Sequence, residues 1–163
     1  MMEIMRTKQK RKRIETEVSK AIKNGIVVSE YFLDSRNVIR GVYGLFCEKK
    51  NDKYCFYIGR SFDISTRLFG FYGHVTMFNN HDCEKIVPKL IQERINEGWK
   101  ISIKILAFVE YEGDNYYRDM QRLAFAEYKL IEEYQEKGEC LYQLPEGTWI
   151  KEENWNTNYR KNM

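Results

Sequence analysis

Five side chains in this sequence have types suited to handling a phosphate ester: Tyr43, Tyr57, Arg67, His74 and Glu127. A guanidinium brings fixed positive charge and paired donors for phosphate oxygens. Phenols and an imidazole can orient a water molecule and pass on its proton. Glu127 stands out for a different reason. It falls in an apolar stripe at helical spacing, with Leu123, Ala124, Leu130, Ile131 and Tyr134 on or beside that stripe. A carboxylate there costs free energy unless it is paired or holds a cation. Arg118, Arg122 or Lys129 could pair with it, whereas Glu132 and Glu133 read as solvent-facing.

These residues need elements to bring them together. Apolar runs over 42–47 and 54–58 flank a turn rich in Lys, Asn and Asp, which predicts a hairpin. Tyr43 lies near the start of the first strand and Tyr57 near the end of the second. Gly59 closes the second run, where the missing Cβ admits a close neighbour. Ser61 and Asp63 offer N-cap oxygens to a short helix over 62–71, with Ile64, Leu68 and Phe71 on one face and Arg67 beside them. Gly70 and Gly73 permit sharp turns that can return Tyr72 or His74 to the hairpin. His74 is the preferred of the two, because an imidazole titrates near neutrality.

Further along, residues 81–98 predict a helix, with Pro88 marking a true first turn nearer Lys85. Residues 101–111 read as a third, largely buried strand, and 116–137 as the longest helix. Upstream, Ile14, Val18 and Ile22 recur at helical spacing and Gly25 is a natural stop. Residues 26–40 suggest an edge strand or an extended cover, from which Arg36 and Arg40 could reach a phosphate. The architecture expected is α+β: a small three-stranded antiparallel sheet flanked by helices, with a basic N-terminal helical extension. The divisions are 1–40 for that extension and its lead-in, 41–150 for the main domain and 151–163 for a tail.

The order Gly41-Val42-Tyr43, then Tyr57-Ile58-Gly59, then Arg67 resembles the GIY-YIG nuclease family over about residues 41–145. The resemblance implies a metal-dependent endonuclease that hydrolyses DNA to 5′-phosphate and 3′-hydroxyl ends. It assigns Glu127, with Ile131 one turn on, to one Mg²⁺ or Mn²⁺ per active site. It makes Tyr43 the group that orients and deprotonates the attacking water, if Arg67 lowers its pKa. His74 or Tyr72 would complete the proton relay, and Tyr57 would bond around the phosphate or Tyr43. Relatives place a His or Tyr four residues past the arginine, where this chain has Phe71. Gln143 stands nearest to a family asparagine. Arg60 and Ser61 are further nucleic-acid contacts, although Arg60 also reads as a plain surface cation.

The chain has 163 residues and a formal net charge of +3, unevenly spread. Residues 1–40 carry ten Lys/Arg against five Asp/Glu, while the rest carries seventeen against nineteen. Arg11, Lys12 and Arg13 end the basic run from Arg6 to Arg13, which could lie along a DNA backbone or simply form a solvated helix face. Four cysteines without CxxC spacing suit reduced thiols in the cytoplasm, and the pair His81 and Cys83 lacks partners for a zinc site. No apolar run is long enough to span a membrane. Trp149 and Trp155 could cover the core or stack on a base. Sequence specificity would call for a homodimer or a partner protein. The rival readings are a catalytically inactive nucleic-acid-binding module of the same fold and a small-molecule or protein-interaction domain.

Overall fold

The computed structural model of the chain describes residues 6–145 and 150–160. The basic N-terminal stretch forms helix α1 (Lys8–Lys23), capped by Thr7, whose hydroxyl accepts from the Lys10 N–H at 3.2 Å. Ile14, Val18 and Ala21 are buried, whereas Lys8, Lys12 and Lys23 stay in solvent. One face of this helix therefore belongs to the core. Gly25, at φ 85°, ends it in the left-handed region that a side chain would strain. The chain continues through the short strand β1 (Val27–Val28), a 3₁₀ turn at Glu30–Phe32, and the hairpin β2 (Gly41–Lys49) and β3 (Asp52–Ser61). Next come α2 (Ile64–Phe69), α3 (His74–Asn79), α4 (Ile86–Asn96), β4 (Lys100–Phe108), α5 (Tyr116–Glu136) and α6 (Glu152–Asn158).

The sheet order is β1-β4-β2-β3, with β2 antiparallel to both β3 and β4 and β1 parallel to β4. The expected three-stranded antiparallel sheet is thus the larger part of a four-stranded mixed sheet. The extra strand pairs only Val27 with Ser102 and Val28 with Ile103, covering an edge of β4 that would otherwise be open. A two-residue strand has too little alternation to be told from extended cover by its sequence alone.

Side chains alternate along β2. Tyr43, Leu45 and Cys47 face the cluster built with α1, α2 and α4, while Val42 and Phe46 face α5 through Ile131. In β3 the alternation is interrupted. Leu45 pairs with Tyr57 and Phe46 with Cys55, which leaves Phe56 as the extra residue of a bulge. The bulge puts Phe56 and Tyr57 against the same cluster, so Tyr57 comes to the Tyr43 side of the sheet.

Several local expectations change. The short helix over 62–71 stops at Phe69, because Gly70 takes an extended conformation, and Phe71 is exposed while Phe69 is buried. Helix α3 forms where no element was expected. Helix α4 has its cap at Lys85 and Pro88 within its first turn. β4 ends at Phe108; the next N–H, of Val109, donates to the Arg40 carbonyl. Arg40 is buried, donates to the carbonyls of Val109 and Asp119, and stacks on Tyr111 with 4.1 Å to the ring centre. Arg36 is paired with Asp34 at 3.0 Å. Neither arginine lies at the cleft described below. Trp155 sits half in solvent on α6, and Trp149 lies outside the described residues.

One buried ion pair ties α1 to the helix that carries Arg67. The Arg6 guanidinium donates to both Asp63 oxygens and to the Ser35 carbonyl, with side-chain exposures of 2% for Arg6 and 9% for Asp63. Asp63 in turn caps α2, accepting from the Thr66 N–H and hydroxyl. Removing one partner would leave the other charge buried and unpaired. Arg6→Ala is therefore expected to cost about 3–5 kcal/mol in urea unfolding. A loss below about 1 kcal/mol would place the pair among solvated surface pairs instead.

Candidate functional site

Tyr43 is completely buried and stands opposite Gly59 in the β2–β3 register. A Cβ on Gly59 would collide with the Tyr43 phenol. A Cβ on Gly41 would likewise run into the Ala107 carbonyl of β4. Both glycines are thus required by close approach.

The Tyr43 ring lies 6.3 Å from Tyr57, and the Tyr57 ring lies 6.1 Å from His74. The three form a row leading from the strands to the start of α3. His74 reaches that row because Gly70 and Gly73 reverse the chain; a Cβ on Gly73 would strike the Leu68 carbonyl. Tyr72 does not join the row. It is 73% exposed and packs edge-on against Phe71 at 4.5 Å.

A cleft of about 250 Å³ opens beside these rings, lined by Tyr43, Tyr57, Arg60, Arg67, Glu127 and Gln143 together with Ile58 and Leu144. Glu127 is 8% exposed and accepts from the Arg60 guanidinium at 2.9 Å. Two of the partners considered from sequence are engaged elsewhere: Arg122 with Glu112, Asp114 and Asp119, and Arg118 with Asp114. Arg60 is therefore a member of the cleft through its carboxylate partner. Arg67, in the last turn of α2, presents its side chain to solvent and lines the same cleft.

Gln143 is held by the open edge of β3. Its side-chain carbonyl accepts from the Ile58 N–H at 2.9 Å and its amide donates to the Ile58 carbonyl. Glu139 accepts from the Cys55 N–H at 2.6 Å in the same manner. Side chains of the segment after α5 thus satisfy edge groups that a further strand would pair. Ser61 is used locally, its hydroxyl accepting from the Asp63 N–H at 3.0 Å. Arg11 and Lys12 lie on α1 outside the cleft lining, while Arg13 stacks over Phe71 at 4.8 Å.

Burial governs the titration of the rings. It pushes the Tyr43 phenol well above its ordinary range, aided by Tyr57, and the opposing pull of Arg67 is too small to reverse it. Arg67 acts in the direction expected from the sequence, by charge and by a hydrogen bond, and burial outweighs it. Tyr57 is also raised, again mainly by burial, with Arg67 and a hydrogen bond from Tyr43 opposing. Burial, then Arg67 and Lys85, lower His74 to about 4, so its imidazole is neutral at pH 7. Its Nε2 is buried without a hydrogen-bond partner.

Among the described residues no group of three or more His, Cys, Asp or Glu side chains is placed to hold a metal. Glu127 is the carboxylate in the cleft lining. Mg²⁺ commonly uses one or two carboxylates with substrate phosphates and water completing its shell. A single buried carboxylate beside an open cleft fits the protein's share of that donor requirement.

The working partners that sequence reasoning missed include Arg6, one cation in a basic run, and Asp119, which accepts from the N–H groups of Glu112 and Gly113 at 2.9 and 3.0 Å. Nothing in the local pattern marks either. Comparison with protein-family models, curated proteins and solved structures finds no match to this chain.

The lowered His74 pKa sets a pH window. Between about 6.5 and about 4 the unfolded chain binds a proton that the folded chain refuses. Stability should therefore fall as pH drops through that window. His74→Asn should flatten the slope of thermal midpoint against pH there; an unchanged slope would mean that His74 is solvated.

Proposed function

We propose that the protein is a GIY-YIG-type endonuclease that hydrolyses DNA phosphodiester bonds, leaving 5′-phosphate and 3′-hydroxyl ends. The observation that carries this reading is the meeting of Tyr43, Tyr57, Arg60, Arg67, Glu127 and Gln143 in one cleft, from two strands, two helices and a loop. Glu127 would hold one Mg²⁺ or Mn²⁺, which supplies charge neutralisation at the scissile phosphate and the leaving 3′ oxygen. Arg67 binds the phosphate and meets the negative charge that grows on it in the transition state. Arg60 holds the Glu127 carboxylate toward the cleft.

Tyr43 stays a neutral phenol and orients the attacking water through its hydroxyl. The new bond joins the water oxygen to phosphorus while the bond to the 3′ oxygen breaks. The water proton passes along the Tyr43 and Tyr57 hydroxyls to solvent, while neutral His74, edge-on to Tyr57, packs at the end of the row. The departing 3′ oxygen takes a proton from solvent. Tyr72, exposed beside Phe71, has no part in this relay.

Among the described residues no helix is long and apolar enough to cross a membrane. A cytoplasmic setting belongs to the same reading, supported by four cysteines that are free of disulfides. DNA is the partner. Sequence specificity is left to a homodimer or a partner protein, because the cleft supplies phosphate chemistry and phosphate contacts carry no sequence information.

The second reading, an inactive nucleic-acid-binding module, draws on the Arg60 contact that already engages Glu127 and on the burial that disfavours ionising Tyr43. Nicking of supercoiled plasmid separates the two. Wild type should cut with Mg²⁺ or Mn²⁺, and Glu127→Ala and Arg67→Ala should each lose about 10²-fold or more in rate. Binding without cutting in either metal would favour the module.

A further inference from the structure

We propose that the groove between α1 and the turn joining α2 to α3 holds unpaired nucleotides of the substrate strand beside the scissile phosphate. This rests on the nuclease reading and names the form of DNA that the site takes. The groove has a volume of about 530 Å³ and shares Arg67 with the cleft as a lining residue, so the two adjoin at that side chain.

Its walls combine cations and open rings. Lys10 and Arg13 come from α1, and Phe62, Phe71 and Tyr72 flank α2. These three rings are 69%, 59% and 73% exposed, although apolar neighbours such as Leu68 and Phe69 are fully buried. Three large aromatics left open in one groove are unused by the core. Phe71 is held in place, with the Arg13 guanidinium 4.8 Å from its centre and Tyr72 edge-on at 89°. Its orientation is therefore set before any ligand arrives.

The charge is one-sided. Lys10, Arg13 and Arg67 line the groove against a single carboxylate, Asp63, which Arg6 already neutralises. Cations interleaved with exposed rings suit a polyanion whose bases can stack on protein. Bases inside a duplex are stacked on one another and offer only their edges. An unpaired segment offers base faces and phosphates together, which matches both parts of the groove.

Fluorescence anisotropy in Ca²⁺ tests this, comparing a blunt DNA duplex with the same duplex carrying an unpaired tail. The wild type should bind the tailed duplex more tightly, by about fivefold or more, as expected for one base stacked on an aromatic ring. Phe62→Ala and Phe71→Ala, both at exposed positions, should each erase most of that preference and leave blunt-duplex affinity unchanged. Equal binding of the two duplexes by wild type would overturn the proposal. So would variants that weaken both duplexes alike. Plasmid nicking by wild type without any tail preference would remove the groove proposal and leave the nuclease reading standing. A tail preference without nicking in Mg²⁺ or Mn²⁺ would remove the nuclease reading and leave the groove as a binding site.

Discussion

Tyr43 can be fully buried near the start of β2 because Gly59, directly across the strand pair, has no side chain to occupy the space of its ring. Much of the cleft follows from this fit. The phenol fills the boundary between the core and the cleft, so one residue serves packing and the site together. The Phe56 bulge then turns Tyr57 to the same face, and the double-glycine turn after α2 brings His74 against Tyr57. Gly41 plays the matching part on the other side of β2, where the Ala107 carbonyl of β4 leaves no room for a Cβ. The arrangement has a chemical consequence. A phenol buried this deeply favours its neutral form, which suits a group that positions a water more than one that strips its proton.

Charge at the cleft is organised by pairing. Glu127 is placed by α5, whose apolar side packs through Ile131 on Val42 and Phe46, and Arg60 on β3 meets it at 2.9 Å. A buried carboxylate without such a partner would be costly. Arg67, by contrast, is left in solvent at the end of a helix whose first turn is fixed by Asp63 and Arg6. One cation steadies the carboxylate and the other remains open to an anion. The start of the N-terminal helix is therefore tied to the site through the Arg6–Asp63 pair just before it, and its half-buried Lys10 and Arg13 extend the cationic surface.

The hairpin, the third strand, the capped helix bearing Arg67 and the long helix bearing Glu127 were legible in the sequence because each is set by local periodicity and local caps. The spacing of Gly41 and Gly59 relative to Tyr43 and Tyr57 was legible too, although their reasons, the Ala107 carbonyl and the Tyr43 ring, are tertiary. What escaped depends on contacts distant in sequence. Arg6 reaches Asp63 fifty-seven positions away, and Gln143 reaches Ile58 across eighty-five. Glu127 was marked as anomalous by its apolar stripe, but its partner Arg60 lies on another element, beyond the reach of helical spacing. β1 was too short to announce itself. Phe71 was assigned to a helix face that ends two residues earlier, because the extended backbone at Gly70 overrides the apolar repeat.

In the proposed nuclease, Glu127 and a bound DNA phosphate would together hold one divalent cation in this cleft. Electron paramagnetic resonance of Mn²⁺ titrated into the protein with a non-hydrolysable phosphorothioate duplex tests it most directly. One bound Mn²⁺ per chain, present only with DNA and lost in Glu127→Gln, is the expected result. Mn²⁺ binding that is absent with DNA, or that persists unchanged in Glu127→Gln, would contradict the account.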